Sequence, residues 1–454
     1  MARPPSSKNN LSVFIGLWLG LTLAAGAGVF ALIYWVMGGA GPEAAPTASA
    51  SISTPAPTAP VVQPTATLPP AQGGGAEVPA AGPACNWLPY PASNFGYGIQ
   101  VHALIPGTDN FPWMTMVRDK LGLHWVKLQV RWYVMEPQPG QIDWAILDNA
   151  MEAACANGLR IMLSVIAAPD WTMANPLPKE IGEAPPDDYQ RYADFVGQII
   201  DRYPGKVQAI DVWNEANLER EWNTAGGVNA AEFARLVQTA YAAIKSRDPN
   251  IIVISGAPAP TGVNCSGTWP DCGGGRPIVV DDATFLRQFI AAGGLNAADC
   301  VGTHSNGTNL PPTADGANPP DGAGYTFRGP WTNPHYSWAL KSQIETYARI
   351  MQEAGVSKPQ CITEFGYASP VDGVITPNYE FAADVTEQLQ GQYLVEAFNW
   401  MRDSGLVRMA FLFNLDYGPK GGDPASDDNV MFSLLSRQGM PRPAFDAISV
   451  MPKP

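Results

Sequence analysis

"DVWNEANL", residues 211–218, begins as a strand built for the interior and ends in reactive side chains. Val207, Ala209, Ile210 and Val212 form an apolar run, and Trp213, Asn214 and Glu215 follow without a break. A carboxylate removed from water is costly unless it is paired, so Glu215 requires a partner or a task. A strand this uniformly apolar is covered on both faces, as parallel strands are.

Outward from this stretch the same pattern recurs. Short apolar runs fall at 96–103, 124–130, 159–166, 207–213, 250–256, 299–304, 359–364 and 407–413. Helix-period stretches lie between them. In 187–203, Tyr189, Tyr192, Phe195, Val196, Ile199 and Ile200 recur at three- and four-residue steps. The segments 230–246, 334–354 and 381–404 read likewise. Eight strand-then-helix units predict an α/β fold, a (β/α)8 TIM barrel. An open doubly wound sheet is the alternative, but no GxGxxG follows the first strand. A barrel carries its function at the C-terminal ends of its strands.

Two of those strands end in glutamate. The fourth ends at Trp213-Asn214-Glu215 and the seventh, "CITEFGYAS" (361–369), ends at Thr363-Glu364-Phe365-Gly366. The fourth and seventh strands face each other across a barrel mouth, so both carboxylates reach one cleft. Two carboxylates flanking a bond are the requirement of glycoside hydrolysis: one protonates the leaving oxygen, the other attacks or directs water. An acid must keep its proton near neutrality, and a second carboxylate nearby raises its pKa. A salt bridge at a strand end explains either glutamate alone, but not both in these two places.

These motifs resemble clan A of the retaining glycoside hydrolases over residues 95–450, with "WNEAN" and "TEFG" nearest to families 39 and 5. The resemblance implies Glu215 as acid/base, Glu364 as nucleophile and Asn214 as a donor to the sugar 2-hydroxyl. It makes His304, in "VGTHSNG", the strand-six histidine. Asn306 stands where family 5 usually has a tyrosine, leaving Tyr325 or Tyr336 as substitutes. Lys127 occupies the usual position of a strand-two arginine, with Arg131 just beyond, and either cation could hold Glu364 ionised. Phe413 stands where the clan often has a tryptophan platform. His102, Trp171 and Trp132 also lie at strand ends, where core packing and sugar contact are equally good readings. Two loops form candidate cleft walls: 305–333, carrying Tyr325, Phe327 and Trp331, and 416–430, carrying Asp416, Tyr417, Lys420, Asp427 and Asp428.

The first ninety residues are a different material. Residues 11–37 contain no charge, more than the roughly 20 apolar residues that span a bilayer. Arg3 and Lys8 precede this run and the next charge is Glu43, so residues 1–10 are expected in the cytoplasm and the remainder outside. A long cleavable signal, giving a secreted protein, is the alternative. Residues 38–83 are rich in Pro, Ala, Thr, Ser and Gly and are expected to form a disordered stalk, leaving 84–454 as the catalytic domain.

A net charge of −14 with no basic cluster argues against a nucleic-acid partner. The 14 tryptophans and 15 tyrosines suit a protein that stacks rings on sugars. Six cysteines carry no metal-ligand spacing. Cys265 and Cys272 could close a small loop, while Cys300 and Cys361 read equally as two buried thiols or a bridge. The expectation is therefore a membrane-anchored, externally displayed retaining β-glycosidase acting on polysaccharide or oligosaccharide, with a monomeric catalytic domain and no metal or cofactor. A transglycosylase and a non-catalytic carbohydrate-binding barrel are the rivals.

Overall fold

The computed structural model describes residues 89–319 and 335–454. The expected anchor and stalk, and Tyr325, Phe327 and Trp331, lie outside these residues. Among the described residues no helix is long and apolar enough to cross a membrane.

Eight parallel strands form the sheet: β1 (Gly96–Gln100), β2 (Trp125–Arg131), β3 (Arg160–Ile166), β4 (Ala209–Val212), β5 (Ile252–Ile254), β6 (Val301–Gly307), β7 (Gln360–Tyr367) and β8 (Val407–Leu412). Each is followed by a helix: α1 (Phe111–Thr115), α2 (Ala145–Ala156), α3 (Tyr189–Arg202), α4 (Ala230–Arg247), α5 (Asp282–Ala291), α6 (Leu340–Glu353), α7 (Glu387–Asp403) and α8 (Pro443–Val450). The strand order is β5-β4-β3-β2-β1-β8-β7-β6. A parallel bridge from Ile254 to Cys300 brings β5 to β6 and completes the circuit. The expected (β/α)8 barrel is the fold.

Helix formation follows the sequence. In α3 the buried Tyr192, Phe195, Val196, Ile199 and Ile200 form one stripe, and Asp188 caps its N-terminus by accepting from the Gln190 amide. In α4, Asn229 plays the capping part, accepting from the Ala231 and Glu232 amides.

Inside the barrel, residues two apart along each strand face inward together. Trp125, Met162, Ala209, Ile252, Cys300, Cys361 and Phe411 plug the lower interior. Gly98 is required here, because a Cβ at that position would sit 2.4 Å from the Phe411 ring. One inward step further up β2, β3 and β4 come Lys127, Ser164 and Asp211, all fully buried. The barrel is therefore apolar below and polar toward its mouth.

Two strands run farther than expected. β6 and β7 stay paired through Ser305–Phe365, Asn306–Gly366 and Gly307–Tyr367, with a register shift between Thr303 and His304. β7 shifts against β8 in the same stretch. A bulge re-aims a side chain, and this one sets Glu364 opposite His304. Cys265–Cys272 form the small bridge foreseen, and Cys300–Cys361 form a second disulfide across β6 and β7. An apolar, fully buried setting suits thiols and a bridge alike; the pairing of the two strands brings the sulfurs together.

Candidate active site

Just beyond β4 stand two left-handed residues, Trp213 at φ 72° and Glu215 at φ 40°. Non-glycine residues adopt such conformations at a cost, typically where function requires it. Here the chain leaves β4 abruptly. The Glu215 amide donates to the Ala257 carbonyl at 2.9 Å, and the Trp213 indole donates to the Glu221 carbonyl at 2.8 Å. The turn from 215 to 222 is thereby folded back on its own strand, with Glu215 held against His304 of β6.

The seventh strand brings Glu364 to the same place. Its Oε1 accepts from Lys127 Nζ at 2.6 Å, and the lysine is fully buried. Lys127, rather than Arg131, is the counter-charge; Arg131 is turned outward to Glu183 at 3.0 Å. His304 joins the two glutamates. Its Nδ1 lies 3.0 Å from Glu215 Oε1 and 3.9 Å from Glu364 Oε2. Those two oxygens can therefore be no farther apart than the two distances combined. That limit admits the about 5–5.5 Å of a retaining pair and reaches only the lower edge of the roughly 6.5–9.5 Å of an inverting one.

Charge around Glu215 differs from the sequence expectation. Burial alone would push its pKa up, as a neighbouring carboxylate would. The Arg220 guanidinium, bonded to Oε2, and then His304 outweigh burial and hold Glu215 down at about 2. Beside it Glu221 is pushed up to about 8 by burial first and by Glu215 second. Asp211, in the layer below, is raised to about 6 by burial, despite Lys127 and His304. Ser164 donates to it at 3.2 Å.

Glu215 faces a cleft of about 430 Å³ whose walls include Arg220, Thr261, Trp269, Asn306 and Tyr379. Glu364 is buried to a similar degree, its side chain 9% exposed. The Asn306 Oδ1 and the His304 Nε2 are buried without a protein partner. Asn214 is buried beside Glu215, its side chain bonded to Glu221. His102 sits at the end of β1, its amide donating to Asp416 at 2.9 Å and its ring against Tyr417.

The structure separates the remaining sequence candidates. Trp171, half-buried, packs edge-on to Trp132 against the core and donates to the Glu136 carbonyl at 3.0 Å. Phe413 is buried against Phe432 and Tyr417. Tyr336 is turned away from Glu364, its hydroxyl accepting from the Ala283 amide at 3.1 Å. Tyr417 is the phenol whose charge environment includes Glu364. Sequence reasoning missed Arg220, Glu221, Asp211 and Trp269. The first two stand five and six residues after Glu215, a spacing that becomes proximity only because the turn folds back. Trp269, 45% exposed, is carried on the short hairpin closed by Cys265–Cys272. Among the described residues no group of histidine, cysteine and carboxylate side chains could hold a metal ion.

The model of the cellulase family, glycosyl hydrolase family 5, matches residues 110–411, more than half of the chain. No curated protein matches. Among solved structures, a family 39 glycoside hydrolase from the gut symbiont Bacteroides cellulosilyticus WH2 is similar at TM-score 0.54 and 15% identity, covering 79% of this chain and 64% of its own. A monomeric beta-xylosidase from Caulobacter crescentus CB15 is similar at TM-score 0.53 and 18% identity, over 78% of this chain and 67% of its own. Xylanase 10B from Thermotoga maritima is similar at TM-score 0.50 and 14% identity, over 79% and 94%. The chain spans less than two thirds of the first of these. At such identities the likeness is one of fold.

Proposed function

This chain belongs to glycosyl hydrolase family 5, and from that premise we propose a retaining β-glycosidase acting through a covalent glycosyl-enzyme. One observation carries the reading: a single imidazole nitrogen, His304 Nδ1, stands between the two carboxylates that end β4 and β7. Glu364, paired with Lys127, attacks the anomeric carbon. Glu215 protonates the departing oxygen and then takes a proton from the water that releases the sugar. Asn214, His304, His102 and Asn306 contact the sugar. The substrate is a β-linked polysaccharide or oligosaccharide bound along the cleft.

An activated 2-deoxy-2-fluoro β-glycoside tests the mechanism. The expected result is one sugar mass on the peptide containing Glu364 and a β-configured product from ordinary substrates. An α-product with no labelled peptide overturns it. An excess of sugar acceptor distinguishes hydrolysis from transfer by the ratio of free sugar to new glycoside.

From the sequence we further propose that residues 11–37 anchor the protein, that 38–83 form a stalk, and that the barrel, as a monomer, stands outside the cell. Full-length protein in the membrane fraction, with the barrel digested by external protease, is the expected result. Release into the medium with a new N-terminus near residue 38 overturns the anchor.

A further inference from the structure

Resting on the reading of Glu215 as acid/base, a problem of protons arises. An acid catalyst must carry a proton on the oxygen facing the leaving group. Both oxygens of Glu215 are instead taken up by potential cations: Oε1 lies 3.0 Å from His304 Nδ1, and Oε2 accepts from Arg220. In this arrangement Glu215 is a carboxylate. The contact with Arg220 has to be given up before Glu215 can act as an acid.

The turn is built to permit this. Its backbone is fixed at several points: the Leu218 amide donates to the Glu215 carbonyl at 2.9 Å, the Trp222 amide to Leu218 at 2.9 Å, and the Glu183 amide to Arg220 at 2.8 Å. Gly182 lies directly against the Arg220 backbone, where a Cβ would come within 2.4 Å. The two carboxylates on the turn are mostly buried, at 8% and 18% side-chain exposure for Glu215 and Glu221. The Arg220 side chain is 61% exposed. So two carboxyl groups are held in place, and the cation between them faces the cleft. Arg220 Nε already lies 4.0 Å from Glu221 Oε1.

We propose that Arg220 moves between Glu215 and Glu221, and that the one proton these two carboxyl groups share sits on whichever the guanidinium has left. With Arg220 on Glu215, Glu221 holds the proton; this agrees with the directions in which burial and charge push the two groups. When Arg220 turns to Glu221, that group gives up a proton and Glu215 takes one. Charge and proton number are unchanged. Glu215 then donates its proton to the leaving oxygen and regains one from water in the second step. Arg220 and Glu221 are positioning residues: neither touches the reacting atoms.

The surroundings leave this pair to itself. His304 from β6 faces Glu215, with Glu364 beyond it on β7. Tyr379 faces Glu215 and Arg220 from the loop after β7. Glu183 faces Glu221 from the segment before α3, but it is paired to Arg131. Asn214 bonds Glu221 without charge. Among the described residues, Arg220 is the cation on Glu221.

The test uses Glu221→Gln and the double variant Arg220→Gln/Glu221→Gln in the full chain, each with an activated aryl glycoside and an unactivated oligosaccharide. Glu221→Gln leaves Arg220 no second anion, so Glu215 stays ionised. The expected result is a loss of about 10- to 100-fold in kcat/KM on the unactivated substrate at pH 7, part of the 10²–10⁴-fold that acid–base catalysis supplies. The basic limb of its pH profile should move to lower pH. Labelling of Glu364 by the activated glycoside should remain, which also reports a folded site. Removing Arg220 as well should restore at least tenfold of the loss and move the basic limb back up. A merely structural role predicts the reverse, a double variant no better than the single one. A Glu221→Gln profile superimposable on wild type, or no rescue, overturns the proposal alone. A wild-type protein that takes no label on Glu364 overturns the catalytic reading and the proposal with it.

Discussion

Lys127 and Glu364 form an ion pair at 2.6 Å in which the ammonium is wholly enclosed by the barrel. Breaking such a pair by removing one partner costs about 3–5 kcal/mol, since the other charge is left buried and alone. Lys127→Met should therefore lower the urea midpoint at pH 7 and abolish labelling of Glu364. Lys127→Met/Glu364→Leu should regain most of the stability while remaining inactive. A single variant with unchanged stability and turnover would show that the pair contributes nothing.

The two glutamates should separate by leaving group. Glu364→Gln removes the nucleophile, so turnover collapses for every substrate. Glu215→Gln removes proton transfer alone, a contribution of about 10²–10⁴-fold that an activated aryl group does not need. Its glycosyl-enzyme should accumulate as a burst. Azide should then restore turnover in Glu215→Ala with a β-product. Azide rescue of Glu364→Ala with an α-product, and none of Glu215→Ala, would reverse the roles.

Stability should fall as pH rises from about 4 to 8. Three buried carboxyl groups titrate high in the folded chain, chiefly through burial: Asp211 at about 6, Asp282 at about 7 and Glu221 at about 8. Unfolded, they ionise near 4. Between those limits the unfolded chain binds fewer protons, so rising pH favours unfolding. Glu215, depressed by Arg220 and His304 against burial, works the other way and loses its contribution below about pH 4. Urea titrations should show a maximum near pH 4–5, and Asp211→Asn should flatten the slope between about pH 4 and 6. A slope unchanged in that variant would assign the pH dependence elsewhere.

The Cys265–Cys272 and Cys300–Cys361 disulfides should differ in what their loss does. Cys300–Cys361 closes a separation of 61 residues, against 7 for Cys265–Cys272. Chain entropy gives about 4 kcal/mol for the first and about 2 for the second. Cys300→Ser/Cys361→Ser should lower the thermal midpoint the more. Cys265→Ser/Cys272→Ser frees the hairpin bearing Trp269, so KM for long oligosaccharides should rise, with aryl monosaccharides unaffected. Trp269→Ala should reproduce that KM effect without changing the melting temperature. If it leaves KM alone, the ring is not a sugar platform.

The alternation of apolar runs and helical stripes in the sequence determined the barrel, because strands covered on both faces and helices covered on one announce themselves by period alone. The same reading placed Glu215 and Glu364 at the mouth, since a costly carboxylate at the end of an apolar strand is conspicuous. It also singled out Lys127 and His304, though without deciding between Lys127 and Arg131. Only the tertiary structure decided that choice, because burial depends on which way β2 faces at each residue. It alone packed Trp171 against Trp132 and set Tyr336 away from Glu364. The bulge shared by β6 and β7, which aligns His304 with Glu364, leaves no mark in composition or period. Most of all, Arg220 and Glu221 read as ordinary turn charges in the chain. They meet Glu215 because two left-handed residues reverse the backbone after β4, and the charge a glutamate carries is set by what the fold brings beside it.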